Sequence, residues 1–113
     1  MKVGWKTVMK QQKLVEKMTI EEKAAILSGK TVWQTREIDR LSIPSIFLSD
    51  GPHGIRKQAG AGDHLGLNAS LNATCFPTAA TIANSWNQDL GEEIGQALGE
   101  EAASMDVNIL LGP

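Results

Sequence analysis

Cysteine is almost absent from this 113-residue sequence, long apolar runs are absent altogether, and neither sign of charge dominates. The lone Cys75 excludes an intrachain disulfide and a cysteine cluster for a metal ion. The formal net charge is −2, with charges spread along the chain, so no basic patch points to nucleic acid or an anionic membrane. No window approaches about 18 uninterrupted apolar residues, which leaves no candidate for a membrane-spanning helix. Residues 1–12 mix lysine with polar side chains and lack the apolar centre of a secretory signal. A cytoplasmic chain is therefore the expectation. On that expectation the sequons Asn68-Ala69-Ser70 and Asn72-Ala73-Thr74 are incidental. Gly60-Ala61-Gly62 has no third glycine and no following Lys-Ser or Lys-Thr, so it makes a poor phosphate loop.

What is present is enough apolar material for a core, at 42% hydrophobic and 21% charged residues, in a length that suits one small domain. The chain is organised around Ser45-Ile46-Phe47-Leu48-Ser49-Asp50-Gly51-Pro52-His53-Gly54. Ile46, Phe47 and Leu48 run together rather than alternate, as in a strand buried on both faces. Pro44 suits the start of a strand, and Gly51 and Pro52 end it. Asp50 is left at the carboxyl end, where α/β sheets and barrels place their chemistry. It reads equally as a cap for its own turn.

The remaining elements follow in order. Trp5, Val8, Met9, Gln12 and Val15 fall near helical spacing over residues 5–17. Thr19-Ile20-Glu21-Glu22 is a capping box for a short helix that Gly29 should end. Residues 31–40 predict a loop or a short helix. Residues 57–74 form a long glycine-containing loop, and structureless loops of this length are often functional. Residues 78–85 predict a small helix, and Ser85 or Asn87 can cap the next one. That helix, from Asp89 to Met105, carries Leu90, Ile94, Leu98, Ala102 and Met105 on its apolar face, with Asp89, Glu92 and Glu93 near its positive end. Gly91, Gly95 and Gly99 recur every four residues and predict a close approach to a sheet. Val107 to Leu111 predicts a second buried strand, ended by Gly112-Pro113. Strand, crossover helix and strand make a βαβ unit with parallel strands. Two parallel strands cannot cover both of their faces, and a complete (β/α)8 barrel needs roughly 250 residues. The expected fold class is thus α/β, an incomplete TIM-barrel-like fragment with about two parallel strands and flanking helices.

Five stretches then share one resemblance: Met18-Thr19-Ile20-Glu21-Glu22-Lys23, Ile43-Pro44-Ser45, Ser49 to Arg56, Ala73-Thr74-Cys75-Phe76-Pro77-Thr78, and Val107 to Pro113. In this order they resemble the N-terminal part of the glycoside hydrolase family 3 catalytic domain, of the bacterial β-glucosidase type. The resemblance covers about residues 14–113. It implies that residues 1–113 are an N-terminal fragment of a barrel domain. It also implies retaining hydrolysis of β-linked glycosides without a cofactor, with a β-glucoside or oligosaccharide as substrate. Asp50 matches the aspartate that binds the sugar of the innermost subsite, and two carboxylate oxygens suit neighbouring hydroxyls. Arg56 ends the same motif and reads either as a brace of the site or as a surface residue. His53 reads as a loop residue.

Retaining hydrolysis needs two carboxylates about 5–5.5 Å apart. In the family resembled, the nucleophile, the acid/base and the Lys-His and Arg residues that complete the subsite all lie beyond the matching segment. The chain is therefore expected to be inactive alone and to need the rest of the barrel, in cis or in trans. Two other readings remain: a non-catalytic piece that binds a partner chain or a sugar, and a truncated reading frame without a function of its own. Among secondary candidates, Trp86 reads as core and Trp33 as either core or a stacking face. Cys75 reads as a small packed residue, with no basic neighbour to make a thiolate. Glu92, Glu93, Glu100 and Glu101 read as a solvated helix face.

Overall fold

The computed structural model describes residues 5–51, 53–60, 62, 65 and 67–112, and side chains from residue 11 onward. Pro52, Ala61, Gly66 and Pro113 lie outside the described residues, as do residues 1–4 and the side chains of Trp5, Val8 and Met9.

The first helix, α1, spans Trp5–Glu16 and the second, α2, spans Ile20–Leu27. The capping box forms as its residues require. The Glu22 N–H donates to Thr19 Oγ1 at 3.2 Å, and the Thr19 N–H donates to Glu22 Oε2 at 2.8 Å. Helix α2 stops at Ser28, whose backbone is extended. Gly29 was expected to stop it through a left-handed backbone, and it does not adopt one. Its need for glycine is steric instead, because a Cβ there would lie 2.6 Å from the Thr31 carbonyl oxygen.

Residues 33–38 run antiparallel to residues 43–48. Leu48 N–H donates to Trp33 O at 2.8 Å, Thr35 N–H to Ile46 O at 3.0 Å, and Ile38 N–H to Ile43 O at 2.9 Å. A 3-10 turn over Asp39–Leu41 and a left-handed Ser42 close this ribbon. The sequence suggests a loop or short helix here, because Gln34 to Glu37 are polar without an apolar alternation. Thr35 compensates from its side chain and its backbone. Its Oγ1 accepts from Ile46 N–H at 2.9 Å, and its carbonyl accepts from Ser45 Oγ at 2.7 Å.

Strand β1, Leu48–Ser49, pairs in parallel with β2, Ile109–Leu110, with Leu48 opposite Ile109 and Ser49 opposite Leu110. The Asn108 side chain extends the pairing by accepting from Phe47 N–H at 2.8 Å. Helix α3 spans Ala79–Asn84 behind a Thr78 cap, and α4 spans Gln88–Ser104 behind an Asn87 cap. The C-terminal half of the expected α4 face, Leu98, Ala102 and Met105, meets the core, while Leu90 stays 36% exposed. Ala102 is buried with Ile55 and Val107, and Phe47, Leu98, Met105 and Leu110 pack on them.

Several expectations fail for one reason, which is that the sheet is covered on one side only. Ile46, Phe47 and Leu48 are half-buried rather than buried on both faces, and the innermost side chain of β1 is Ser49 at 1% exposure. A Cβ at Gly91, Gly95 or Gly99 would meet nothing within 4 Å, so the expected close approach to a sheet is not made. Trp86 is 93% exposed on a left-handed backbone rather than in the core, and Cys75 is exposed rather than packed. The accessible surface is 8646 Å², against roughly 6,000 Å² for a folded monomer of this mass. The radius of gyration is 17.0 Å, against about 13 Å for a compact domain of this length. Among the described residues, no helix is long and apolar enough to cross a membrane.

Candidate functional site

Asp50 follows Ser49 directly at the carboxyl end of β1. The chain then closes back on it. The Arg56 N–H donates to the Asp50 carbonyl at 2.8 Å, and Arg56 Nη2 stands 3.4 Å from Asp50 Oδ1. That contact is within ion-pair range but makes no hydrogen bond. Asp50 Oδ1 and Arg56 Nε are both buried atoms without a hydrogen-bond partner. Yet the two side chains are 41% and 40% exposed. The unspent atoms are thus turned inward, while the rest of each charged group faces solvent and can meet a polar ligand.

Two glycines allow this closure. A Cβ on Gly51 would lie 1.7 Å from the Gly54 carbonyl oxygen, and a Cβ on Gly54 would lie 2.2 Å from the Thr74 carbonyl oxygen. No larger residue fits either place without moving backbone. The Phe76 N–H donates to His53 O at 2.6 Å, so residues 74–76 lie against the loop from Asp50 to Arg56. A cleft of about 320 Å³ opens between them, lined by Gly51, His53, Arg56, Leu71, Thr74 and Cys75 among others. Asp50 borders this cleft through Gly51 and is not itself in its lining.

The expected long loop is braced rather than structureless. Ala59 N–H donates to Ala69 O, and Leu71 N–H to Lys57 O, each at 2.8 Å. Trp33 Nε1 donates to Gln58 Oε1 at 3.0 Å, and a Cβ on Gly62 would lie 2.7 Å from Trp33 Cδ1. Trp33 is therefore a packing brace of this loop. Lys57 sits 4.7 Å above the Phe47 ring and donates to the Met105 carbonyl. Leu65 and Leu67 stay 78% and 81% exposed on the loop.

A second cleft, of about 330 Å³, lies by α2 between Glu22, Lys30, Glu37 and Arg40. These four charges are spent on each other. Arg40 donates to both Glu22 oxygens, at 3.1 and 2.6 Å, and Lys30 donates to Glu37 at 2.7 Å. The Arg40 guanidinium, with help from the Thr19 N–H, holds Glu22 below the ordinary carboxylate value, and Lys30 does the same for Glu37. Among the described residues, no group of three His, Cys, Asp or Glu side chains could hold a metal ion.

No protein-family model matches the chain. Curated relatives do. Thermostable beta-glucosidase B of Acetivibrio thermocellus is 50% identical over 102 residues, which is 90% of this chain and 14% of that protein. An exo-alpha-(1->6)-L-arabinopyranosidase of Bifidobacterium longum is 41% identical over 88% of this chain and 13% of its own length. Among solved structures, the GH3 beta-glucosidase of Bifidobacterium adolescentis superposes with a TM-score of 0.72 at 38% identity, over 88% of this chain and 13% of that one. The beta-glucosidase of Kluyveromyces marxianus in complex with glucose superposes with a TM-score of 0.78 at 30% identity, over 90% of this chain and 11% of that one. The sequence is similar to part of beta-glucosidases of the GH3 type over about 90% of its own length. The two parallel strands and their helices match part of the family 3 β-glucosidase structures, and the chain spans about an eighth of the length of these proteins.

Within this segment, the structure brings Asp50 and Arg56 together and leaves His53 exposed at the edge of the cleft. Glu92, Glu93 and Glu100 are exposed, as their helix positions suggest. Glu101 is not part of that solvated face. Its Oε1 accepts from the Thr74 N–H at 2.9 Å and from Thr74 Oγ1 at 3.0 Å. Sequence reasoning missed this link, because a fourth glutamate on a polar helix face carries no local sign of a partner 27 residues earlier.

Proposed function

We propose that this chain contributes part of the sugar-binding subsite of a retaining β-glucosidase-like glycoside hydrolase. In this reading residues 1–113 are the N-terminal piece of a (β/α)8 barrel domain, and the substrate is a β-glucoside or oligosaccharide. Asp50 accepts hydrogen bonds from hydroxyls of the innermost sugar. Arg56 braces the carboxylate through their 3.4 Å ion pair. The nucleophile and the acid/base come from residues outside this chain, because hydrolysis with retention needs two carboxylates about 5–5.5 Å apart and no second family motif of that kind occurs here. The open sheet and the exposed apolar residues favour a requirement for the rest of the barrel, in cis or in trans. A cytoplasmic location accompanies the reading, since an exposed single thiol such as Cys75 suits a reducing compartment.

The observation that carries the proposal is the Asp50 carboxylate, at a strand's carboxyl end, half-exposed, without a hydrogen bond at Oδ1, in a chain half identical to a β-glucosidase. The test replaces the matching 102-residue segment of the Acetivibrio thermocellus enzyme with the corresponding residues of this chain. The graft should hydrolyse an aryl β-glucoside, and the 113-residue chain alone should not exceed background. A folded graft without activity, or activity of the purified chain alone that Asp50→Ala abolishes, would refute the reading.

A further inference from the structure

We propose that Glu101 is a positioning residue that sets the Asp50 loop through Thr74; its bearing on sugar binding rests on the reading above. The link runs through contacts of named atoms. One carboxylate oxygen of Glu101 accepts both the backbone N–H and the hydroxyl of Thr74. This fixes the Thr74 amide and its side chain together. The Thr74 carbonyl then abuts Gly54, where even a methyl group would collide at 2.2 Å. Gly54 in turn abuts Gly51, beside Asp50. Two residues on from Thr74, the Phe76 N–H holds the His53 carbonyl. The Asp50 loop is therefore set between β1 on one side and a segment pinned to α4 on the other. Without Glu101, residues 73–76 lose their only side-chain tie to α4 among the contacts described.

The second Glu101 oxygen bears on the same point. Oε2 is buried and has no hydrogen-bond partner. Burying an unspent carboxylate oxygen costs free energy that a merely decorative surface glutamate would avoid by turning to water. The side chain is held inward by its two bonds to Thr74. A glutamine can keep both bonds through its amide oxygen, whereas alanine keeps neither.

The test is amide hydrogen exchange on the grafted enzyme described above and its Glu101→Ala, Glu101→Gln and Thr74→Val variants at one concentration. Exchange is read at Arg56 and Phe76, whose N–H groups close the loop, with Lys23 in α2 as an internal control. Glu101→Ala should speed exchange at Arg56 and Phe76 by about tenfold or more, the equivalent of about 1.4 kcal/mol, and leave Lys23 unchanged. Glu101→Gln should restore protection, and Thr74→Val should fall between. Unchanged exchange in Glu101→Ala, or equal loss at all three amides in both Glu101 variants, would overturn the proposal. The graft assay decides the sugar reading separately. An inactive graft with exchange responding as stated removes the sugar role and leaves Glu101 as the residue that sets the loop.

Discussion

Replacing Asp50 separates its two possible roles by magnitude. As a sugar ligand, the carboxylate supplies charged hydrogen bonds worth roughly 1.5–3 kcal/mol each. Losing two in the grafted enzyme should lower kcat/KM on the order of a hundredfold or more, since about 1.4 kcal/mol is tenfold. As a turn cap, Asp50 would instead be needed for folding. The structure gives that role little to lose. The side chain makes no hydrogen bond at Oδ1, and its ion pair with Arg56 is 3.4 Å long and about 40% exposed on both sides. Exposed pairs of this kind are worth about 0–1 kcal/mol. The tie that closes the loop uses the Asp50 backbone carbonyl, which the Ala and Asn substitutions retain. Asp50→Ala should therefore abolish most turnover while moving Tm little. Asp50→Asn should be milder, because its amide keeps one acceptor oxygen. The assay is kcat/KM on an aryl β-glucoside beside thermal melting, for the wild-type, Asn and Ala grafts. Near-normal turnover with a large fall in Tm would refute the sugar role and return Asp50 to its turn.

Three further outcomes are expected. The isolated chain should self-associate or aggregate, because among the described residues β2 has no strand on its outer edge and Ile109 and Leu111 are 43% and 42% exposed; a sharply melting monodisperse monomer in light scattering would contradict this. Gly54→Ala should destabilise the loop by about 1–3 kcal/mol, since its Cβ meets backbone at 2.2 Å, and amide exchange at Arg56 that stays at the wild-type rate would count against the close contact. Protection of α2 should weaken in acid. Glu22 is held below its ordinary value of 4.5 when folded, chiefly by Arg40, so its contribution is present above pH 4.5 and is lost as pH falls through the lower folded value. Glu22→Gln should flatten that acid slope in an exchange profile, and a wild-type slope in the variant would exclude the pair as its source.

Local chemistry explains what was legible before any coordinates. The capping box at Thr19 and Glu22, the Asn87 cap and the C-terminal half of the apolar stripe of α4 depend on residues three or four apart, and all three formed as their spacing requires. The break after Asp50 was legible for the same reason, because Gly51 and Gly54 act within a few residues of each other. The family resemblance was legible in five short stretches, each tied to one of these local features or to a strand end. The ribbon over residues 33–48 was not, since the arm from Trp33 to Ile38 pairs through backbone groups while its side chains carry no strand pattern. Nor was the role of Glu101, which depends on the packing of α4 against a segment 27 residues away.

By itself, then, the sequence determined the helix starts, the parallel strand pair and the position of a carboxylate at a strand's carboxyl end. Those follow from propensity, periodicity and turn chemistry over a few residues. Only the tertiary structure decided which side chains were spent and which were left open. It turned Trp33 into a brace, left Trp86 in solvent, drew Glu101 inward to Thr74 and left the Asp50 carboxylate without a hydrogen bond at Oδ1. The physical reason is that burial and hydrogen-bond satisfaction belong to pairs of groups far apart in the chain, and one-dimensional spacing does not say which of them will meet.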